Sequence, residues 1–460
     1  MSDVTVFKRS VSTRGVAAFA GEILLIYGSI AVALRLHSPD GVPSGLWWKA
    51  VVTAVLWQLC LYYNDFYDLT LVRGSRELVV RLLQAAGAAS LILAALYVVV
   101  PALDLGSRVI ITSLCLFLVA VLTWRLLFNQ VTGATALEER VLIVGTGHAA
   151  RTVARQIQSQ HDFGYRVVGF VDDEPDAELA SERRPWCLGS AADIPRLVDQ
   201  YQVDRIVVGL GDRRGRLPVQ ELLHAKLSGV RVEDATATYE RLTGKVLVDS
   251  LRPSWLIFSD GFRVSRWTRM VKRGFDLLLA CVGLVIAAPL MLLTALAIWL
   301  ETGRPVLYRQ ERAGENGRPF TLLKFRSMRT DAEQGTPVWA RDNDDRVTAV
   351  GSVIRATRLD EVPQLWNVLI GEMSFVGPRP ERPFFVEQLT AQIPFYSQRH
   401  AVKPGITGWA QVKYRYGASV EDAMEKLRYD LYYIKNLSIG FDMTILVDTV
   451  KVMLFRKGAK

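Results

Sequence analysis

The sequence predicts a multidomain membrane protein with a four-helix transmembrane bundle, a Rossmann-like α/β domain and a mainly α monotopic domain that carries a re-entrant membrane helix. Three observations predict this fold class. Half of the 460 residues are hydrophobic, and the chain contains five long apolar runs. A glycine-containing turn follows a short apolar strand in the middle of the chain. The fifth apolar run has a proline near its centre and positive residues at both ends.

The first 130 residues are predicted to form four transmembrane helices, because about twenty apolar residues cross the hydrocarbon core. The four apolar runs are residues 16–34, 46–63, 82–100 and 109–124. Positive residues precede the first run, lie between the second and third, and follow the fourth at Arg125. Since loops rich in Lys and Arg stay in the cytoplasm, the N-terminus and the chain after Arg125 are expected there. Glu22, inside the first run, is expected to snorkel or to pair with Arg14.

Residues 138–258 are predicted to form a Rossmann-like α/β domain with a doubly wound parallel sheet. Its strands are predicted at residues 141–144, 166–171 and 205–210. The turn after the first strand has the GxGxxA pattern, which lets a backbone approach a pyrophosphate at a helix N-terminus. Candidate nucleotide-binding residues are Gly145, Gly147, Ala150 and Asp172, with Asp173 as the alternative acidic residue. The competing interpretation is that the glycines only allow tight packing and that no dinucleotide binds.

The fifth apolar run lies within residues 271–300 and is predicted to be a re-entrant membrane helix. Arginines and lysines flank the run on both sides, and such residues keep the ends of a membrane segment on the cytoplasmic side. Pro289 removes a backbone donor and clashes with the preceding turn, so a break there would let the chain leave by the leaflet it entered. The alternative is an ordinary spanning helix with a kink.

Residues 301–460 are predicted to form the catalytic domain. Asp360 and Glu361 are neighbours, so one carboxylate can attack while the other binds a metal ion or handles a proton. Phosphoryl transfer needs a nucleophile, cations that neutralise the phosphate oxygens and usually a divalent metal ion. The candidate phosphate-binding residues are Arg355, Arg379, Lys324 and Arg326. Taken alone, adjacent acidic residues more often form a solvated surface or a helix N-terminal charge.

The composition argues against nucleic-acid binding and against a zinc site built from cysteines and histidines. The formal net charge is +9, but the basic residues cluster beside apolar segments and no nucleic-acid recognition motif accompanies them. Nucleic acid is therefore not an expected partner. The four cysteines contain no CxxC pair and the five histidines are scattered, so a metal ion would have oxygen ligands.

Four motifs in the last third of the chain resemble the bacterial polyprenyl-phosphate glycosyl-1-phosphate transferases, also called bacterial sugar transferases. They are KFRSM at 324–328, the run 355–367, GEMSFVGPRP at 371–380 and KPGITGWAQV at 403–412. Together with the four spans and the α/β domain, they make the chain similar to the large monotopic subclass that initiates exopolysaccharide or capsule assembly. The segments that begin at Tyr416 and Tyr429 are similar to sugar transferases of exosortase-associated exopolysaccharide loci.

The resemblance implies that Asp360 attacks the sugar-linked phosphorus of a UDP-sugar and releases UMP, after which undecaprenyl phosphate accepts the sugar phosphate. UDP-glucose and UDP-galactose are the first candidate donors. Glu361 would share metal binding or proton handling with Asp360, and Mg²⁺ or Mn²⁺ would be the cofactor. Arg355 and Arg379 would bind phosphate, with Lys324 nearby. Ala288 stands where the family has serine before the proline, so the bend would depend on Pro289 and packing.

The resemblance also implies partners and a location. The expected partners are undecaprenyl phosphate, the UDP-sugar, membrane lipids, downstream glycosyltransferases and the polysaccharide export machinery, and a homodimer is the expected assembly. The expected location is the bacterial inner (cytoplasmic) membrane, with several spans and the catalytic domain on the cytoplasmic face.

Two other functions are compatible with parts of the chain. A membrane-tethered, NAD-dependent nucleotide-sugar oxidoreductase would use the GxGxxA turn, but Tyr239 is followed four places later by Thr243 instead of the lysine of a Tyr-x-x-x-Lys pair. A non-catalytic scaffold of a polysaccharide assembly complex would not need Asp360 and Glu361.

Overall fold

The computed structural model describes most of the chain in two compact units. The described residues are 4–6, 9–11, 13–38, 43, 45–64, 66, 75–132, 138–159, 164–174, 187–211, 216–251, 261–262, 264–329, 346–414, 417 and 419–455. The first unit is formed mainly by residues 10–238 and the second mainly by residues 239–460. The predicted end of the α/β domain at Phe258 lies outside the described residues.

All four apolar runs at the start of the chain are helical, as predicted. The helices are α1 (Thr13–His37), α2 (Leu46–Tyr63), α3 (Ser75–Val99) and α4 (Ser107–Thr132), preceded by the paired short strands β1 (Val4–Val6) and β2 (Arg9–Val11). By length and composition, α1, α3 and α4 could cross a membrane. The helix α2 is not among the candidate spans, because Lys49, Gln58 and several aromatic residues lower its hydropathy.

A buried ion pair joins the first and last helices of this bundle. Glu22 of α1 lies 2.5 Å from Arg125 of α4, and both side chains are fully buried. Arg125 also donates a hydrogen bond to the backbone oxygen of Phe66. Arg125, which is distant in sequence but adjacent after the helices pack, is therefore a partner of Glu22. The side chain of Arg14, the partner predicted from the sequence, lies outside the described part of the structure.

The α/β part of the first unit is built on a five-stranded parallel sheet with the order β5-β4-β3-β6-β7. The strands are β3 (Glu139–Val144), β4 (Tyr165–Val171), β5 (Cys187–Gly189), β6 (Arg205–Val208) and β7 (Arg231–Asp234). The helices are α5 (His148–Ser159), α6 (Ile194–Tyr201), α7 (Val219–Leu227) and α8 (Ala235–Thr243), and the second unit begins within α8 at Tyr239. The predicted parallel sheet is confirmed. The strand order reverses between β3 and β6, so the turns that follow these two strands lie side by side.

The second unit is mainly helical, with two small two-stranded sheets. Its long first helix is α9 (Arg266–Thr302), followed by an antiparallel pair, β8 (Leu307–Ala313) and β9 (Pro319–Phe325). The remaining elements are α10 (Ala349–Ala356), α11 (Gln364–Ile370), β10 (Ser374–Val376), α12 (Pro383–Gln392), β11 (Gly405–Thr407), α13 (Trp409–Lys413), α14 (Val420–Lys435) and α15 (Ile439–Phe455). The strands β10 and β11 are parallel. Trp409 is buried at the centre of the largest core of this unit, where its ring packs against Tyr429, Tyr432 and Phe441.

The helix α9 contains 37 residues and is therefore roughly 55 Å long. It remains helical through Pro289, so the helix is not interrupted there, and the predicted bend at Pro289 stays a prediction. Its N-terminal part binds the unit through Arg273, which donates a 2.7 Å hydrogen bond to the Val368 oxygen. At its C-terminal end, Glu301 accepts a 2.9 Å hydrogen bond from the Ala349 amide. In the most apolar 18-residue stretch of α9, only 11% of the residues are buried. The middle of this helix is therefore available for lipid contact.

Candidate active site

Asp360 and Glu361 lie in a single 3-10 turn between two helices. Helix α10 is capped at its start by the Thr348 hydroxyl, which accepts a 2.9 Å hydrogen bond from the Gly351 amide. After the helix ends, Arg358 adopts a left-handed conformation with φ of 59°, which redirects the chain into the turn Leu359–Glu361. The two carboxylates are thus placed by the change of direction between α10 and α11.

Glu361 is the centre of a cluster of positive charges. Its Oε1 accepts hydrogen bonds from Lys324 Nζ at 3.1 Å and from Arg379 Nη2 at 2.9 Å. The Arg358 guanidinium lies 3.9 Å from the same oxygen. Burial favours a higher pKa for this carboxyl, but Arg379, Lys324 and Arg358 together hold the pKa of Glu361 far below its usual range. Glu361 is therefore ionised and connects β9 with the loop after β10.

Asp360 has a different environment. Its side chain is buried, and Oδ1 has no hydrogen-bond partner among the described residues. Burial raises the pKa of Asp360, Lys324 opposes that rise and Glu361 adds to it. A buried acceptor without a partner is uncommon and calls for an explanation. In this position it provides an oxygen that is free to bond to an incoming phosphorus atom or cation.

Three of the four predicted phosphate-binding residues, Arg379, Lys324 and Arg355, lie near the two carboxylates. Arg379 and Lys324 contact Glu361 directly. Burial lowers the pKa of Lys324, and the charge of Glu361 counteracts this effect. Arg355 is half-buried in the last turn of α10, where its charge opposes the rise that burial causes in the pKa of Asp360.

Arg326 makes contacts at the end of α9 that the sequence did not predict. Its Nη2 donates hydrogen bonds to the Thr302 oxygen at 3.0 Å, the Thr302 hydroxyl at 2.6 Å and the Gly303 oxygen at 2.8 Å. These contacts satisfy the C-terminal carbonyls of α9, which otherwise have no intrahelical partner. The described contacts of Arg326 therefore support a helix-capping role, and phosphate binding by Arg326 stays a prediction.

The residues at the carboxylates fit a divalent cation only if the substrate contributes ligands. Within the described ranges there is no group of three or more His, Cys, Asp or Glu side chains that could bind a metal ion. Magnesium is commonly bound by one or two carboxylates together with substrate phosphates. Asp360, through its unpartnered Oδ1, and Glu361 are the residues that would hold it.

The GxGxxA turn of the α/β part is largely occupied by its own contacts. Oδ2 of Asp172 accepts hydrogen bonds from the Thr146 amide at 2.8 Å and from the Thr146 hydroxyl at 2.6 Å. Gly145 has φ of +97°, and a Cβ on it would lie 3.0 Å from the Leu210 backbone nitrogen. A Cβ added to Gly209 would lie 2.6 Å from that of Ala150.

These contacts support the packing interpretation of the glycines. The carboxylate expected to bind a ribose is bonded to Thr146, between Gly145 and Gly147. The sequence analysis also missed a second glycine pair, Gly209 and Gly211, which follows β6. A Cβ on Gly147 would lie 3.5 Å from the Gly209 oxygen. The repeated Gly-x-Gly spacing after a second strand was the signal that could have identified it.

The structure is that of a membrane-associated protein with two carboxylates beside a cluster of basic side chains, and comparison with known proteins identifies the family. Residues 267–456 match the family described as "Bacterial sugar transferase", and residues 63–216 match the family described as "CoA-binding domain". A UDP-glucose:undecaprenyl-phosphate glucose-1-phosphate transferase of Xanthomonas campestris pv. campestris is 33% identical over 336 residues, which cover 70% of this chain and 68% of the relative. The protein of the same name from Escherichia coli (strain K12) is 33% identical over 331 residues, which cover 69% of this chain and 68% of the relative.

A third relative is more similar over a shorter region. The UDP-N-acetylgalactosamine-undecaprenyl-phosphate N-acetylgalactosaminephosphotransferase of Aeromonas hydrophila is 43% identical over 239 residues, 52% of this chain. The match spans 56% of the length of that relative. The chain belongs to the bacterial sugar transferase family, the polyprenyl-phosphate glycosyl-1-phosphate transferases.

Proposed function

We propose that this protein transfers a sugar-1-phosphate from a UDP-sugar to undecaprenyl phosphate, giving undecaprenyl-diphosphate-sugar and UMP. The observation that carries the proposal is the buried Asp360, whose Oδ1 has no partner in the described part of the chain, beside the ion pairs of Glu361. The names of the relatives from Xanthomonas, Escherichia and Aeromonas support the acceptor and the reaction class.

In the first step, an Asp360 oxygen attacks the sugar-linked phosphorus of the UDP-sugar. A bond forms between the carboxylate and phosphorus, the bond from phosphorus to the bridging oxygen breaks, and UMP leaves with that electron pair. Arg355, Arg379 and Lys324 are positioned to neutralise the charge on the phosphate oxygens. Glu361 keeps Arg379 and Lys324 next to Asp360. A bound Mg²⁺ or Mn²⁺ would add charge stabilisation between Asp360, Glu361 and the phosphates.

In the second step, an oxygen of undecaprenyl phosphate attacks the phosphorus of the covalent intermediate. The new diphosphate bond forms while the bond to Asp360 breaks, and the carboxylate is regenerated. The burial of Asp360 suits both steps, because exclusion of water strengthens the electrostatic interactions and limits hydrolysis of the intermediate.

We further propose that α9 is a re-entrant membrane helix that keeps the site on the cytoplasmic face of the bacterial inner membrane. Both ends of the helix contact the same unit, through Arg273 at one end and Glu301 at the other. Between them, Val285, Ile286 and Leu292 are more than 70% exposed. A straight spanning helix would put its two ends on opposite sides of the bilayer, about 30 Å apart.

The donor is proposed from the names of the relatives. UDP-glucose and UDP-N-acetylgalactosamine are the donors in those names, and UDP-galactose was a candidate from the sequence. A relative from Rhizobium leguminosarum bv. phaseoli named "Exopolysaccharide production protein PSS" is 41% identical over 196 residues, which supports a role in exopolysaccharide or capsule synthesis. The sheet order supports the Rossmann-like description of the α/β part.

The reaction is tested by measuring UMP release from these three UDP-sugars by the full chain in nanodiscs, with and without undecaprenyl phosphate and Mg²⁺. We expect release from one donor that depends on lipid and metal ion. The Asp360→Asn variant is expected to release no UMP. Asp172→Asn, in the α/β part, is the matched control and should retain activity. No UMP with any donor, or full activity in Asp360→Asn, would contradict the proposal.

The re-entrant topology is tested by labelling single cysteines in a variant without Cys60, Cys115, Cys187 and Cys281. Trp267→Cys and Gly303→Cys, at the two ends of α9, should react with an impermeant maleimide only when the cytoplasmic face is exposed. Labelling from opposite faces would show that the helix spans the membrane.

A further inference from the structure

The loop 377–380, called here the arginine loop, carries Arg379 to Glu361 and is itself attached through its backbone carbonyls. The Pro378 oxygen accepts a 2.9 Å hydrogen bond from the Gly405 amide. The Pro380 oxygen accepts one of 3.0 Å from Arg312 Nη1. The Arg379 oxygen lies between them and accepts a 3.1 Å hydrogen bond from Arg399 Nη2. Arg399 therefore contacts the residue whose guanidinium binds Glu361.

Arg399 is held by a buried network. Its Nη2 also donates a 2.8 Å hydrogen bond to Asp430 Oδ2, and its Nη1 donates a 2.7 Å hydrogen bond to the Tyr396 hydroxyl. The side chains of Arg399 and Asp430 are 4% and 2% exposed. Burial raises the pKa of Asp430, and the charge of Arg399 opposes that rise. Asp430 comes from α14, so the network links the C-terminal helices to the arginine loop.

A requirement for stability alone does not account for this choice of residues. Burial of an ion pair costs desolvation energy, and well-packed apolar residues of similar volume often stabilise a protein as well or better. A guanidinium has several donors in a fixed planar arrangement. Arg399 uses this arrangement to reach a carboxylate, a hydroxyl and the carbonyl of Arg379 together, which a lysine ammonium at that position would reach less well.

We propose that Arg399, oriented by Asp430, is a positioning residue that fixes the backbone of Arg379 and thereby sets the guanidinium of Arg379 against Glu361 and the substrate phosphate. The inference deepens and rests on the proposed transferase function. Arg399 itself touches neither Asp360 nor Glu361 through any described contact. Its effect on the reaction passes through the arginine loop.

The test replaces the buried pair as a unit, so that no lone charge is left in the core. Arg399→Met combined with Asp430→Leu removes both charges and keeps apolar volume. The matched control is Lys435→Met combined with Glu240→Met, which removes another largely buried ion pair of the same unit, whose 2.7 Å bond joins α14 to α8. Arg399→Lys keeps the charge beside Asp430 and serves as the second variant if the pair replacement does not fold.

The first readout is amide hydrogen exchange of the full chain in nanodiscs, which does not depend on activity. The loop amides that can report are those of Gly377, Arg379 and Glu381, because Pro378 and Pro380 have no amide hydrogen. We expect exchange at these three amides to become faster in the Arg399→Met/Asp430→Leu protein and in Arg399→Lys, with the rest of the unit unchanged. The control pair should leave exchange at 377–381 as in the unmodified protein. Unchanged exchange in the arginine loop of a folded Arg399 variant would overturn the inference.

The second readout is a double-mutant cycle on UMP release with Arg379→Lys. A displacement of about 1 Å at an active site can lower a rate by roughly a hundredfold, and we expect kcat to fall by about tenfold to a hundredfold in the Arg399 variants. In the Arg379→Lys background the same replacements should cause little further loss, because they act through Arg379. If the fold losses in kcat of the Arg399 and Arg379 variants multiply in the combined variant, Arg399 does not act through Arg379 and the inference is overturned. An inactive unmodified protein would contradict the proposed function, while the exchange measurement would still decide the role of Arg399.

Discussion

Two aspartates predicted to be functional, Asp172 and Asp360, have opposite hydrogen-bond environments. Asp172 follows β4, and its Oδ2 accepts two hydrogen bonds from Thr146, while its Oδ1 accepts one of 3.2 Å from the Glu174 amide. Asp360 is buried in a 3-10 turn, and its Oδ1 has no partner among the residues that the structure describes. The Asp172 carboxylate stabilises the loops that follow β3 and β4, whereas Oδ1 of Asp360 is available for a ligand.

The difference lies in whether the hydrogen bonds of the carboxylate are satisfied within the fold. A buried acceptor without a hydrogen bond costs about 1–3 kcal/mol, so folding alone gives no reason to keep one. Around Asp360 the neighbouring cations are paired with Glu361 instead. The site thus has one carboxylate that organises the positive charges and another that remains free to react.

The largest expected effect is that of Asp360→Asn. The amide cannot form the covalent intermediate, and we expect UMP release to fall by about a thousandfold or more. Thermal unfolding should be unchanged or shifted upward, because the variant replaces a buried ionisable group. The measurement is single-turnover UMP release together with a thermal scan. Substantial residual turnover would mean that Asp360 is not the nucleophile and would remove the contrast with Asp172.

The next effect concerns Arg379. Arg379→Lys keeps the charge but loses the planar donors that bind Glu361 and phosphate, so kcat/KM for UMP release should fall by roughly tenfold to a hundredfold. Arg326→Lys is the matched comparison in the same assay. Because Arg326 caps α9, we expect a lower melting temperature and a kcat within about threefold of the unmodified protein. Equal losses of kcat in the two variants would indicate that Arg326 also binds substrate.

The pH dependence of the reaction follows from the environment of Asp360. Burial raises the pKa of this carboxyl, so it becomes protonated at a higher pH than an exposed aspartate. Because attack requires the ionised form, activity is expected to fall with decreasing pH through that raised pKa. Lys324 opposes the rise, so Lys324→Met should move the acid limb of kcat/KM to still higher pH. Profiles measured between about pH 4 and 8 for Lys324→Met and the control Lys435→Met test this. If the acid limb lies at the same pH in the two variants, the assignment of that limb to Asp360 is wrong.

The smallest effect on activity is expected for Asp172→Asn. The amide oxygen can still accept both hydrogen bonds from Thr146, but the charge is lost and the NH2 group cannot accept the hydrogen bond of the Glu174 amide. The α/β part should therefore be destabilised by about 1–2 kcal/mol. UMP release should stay within about twofold of the unmodified value. The measurement compares thermal unfolding with kcat in one preparation. Wild-type stability combined with a loss of activity would assign Asp172 a functional role instead.

The local character of each region was predictable from the sequence, whereas the partners of individual side chains were not. The apolar runs, the parallel sheet and the carboxylates at 360 and 361 follow from hydrophobic patterning and from residues adjacent in the chain. The pairing of Glu22 with Arg125, the use of Arg326 as a helix cap and the attachment of Asp172 to Thr146 join residues from 24 to over 100 positions apart. Such contacts depend on how helices and strands pack.

By itself, the sequence determined the membrane-associated class of the protein, the order of its domains and the chemical groups of the candidate site. Periodicity, helix-flanking charges and motif residues are local properties, and they are present before the chain folds. Only the tertiary structure decided that Glu361 binds Lys324 and Arg379, that Asp360 is buried with an unpartnered oxygen, and that Arg399 reaches the carbonyl of Arg379. Burial and hydrogen bonding arise when distant segments exclude water from one another, and neither can be read from the residues of one segment alone.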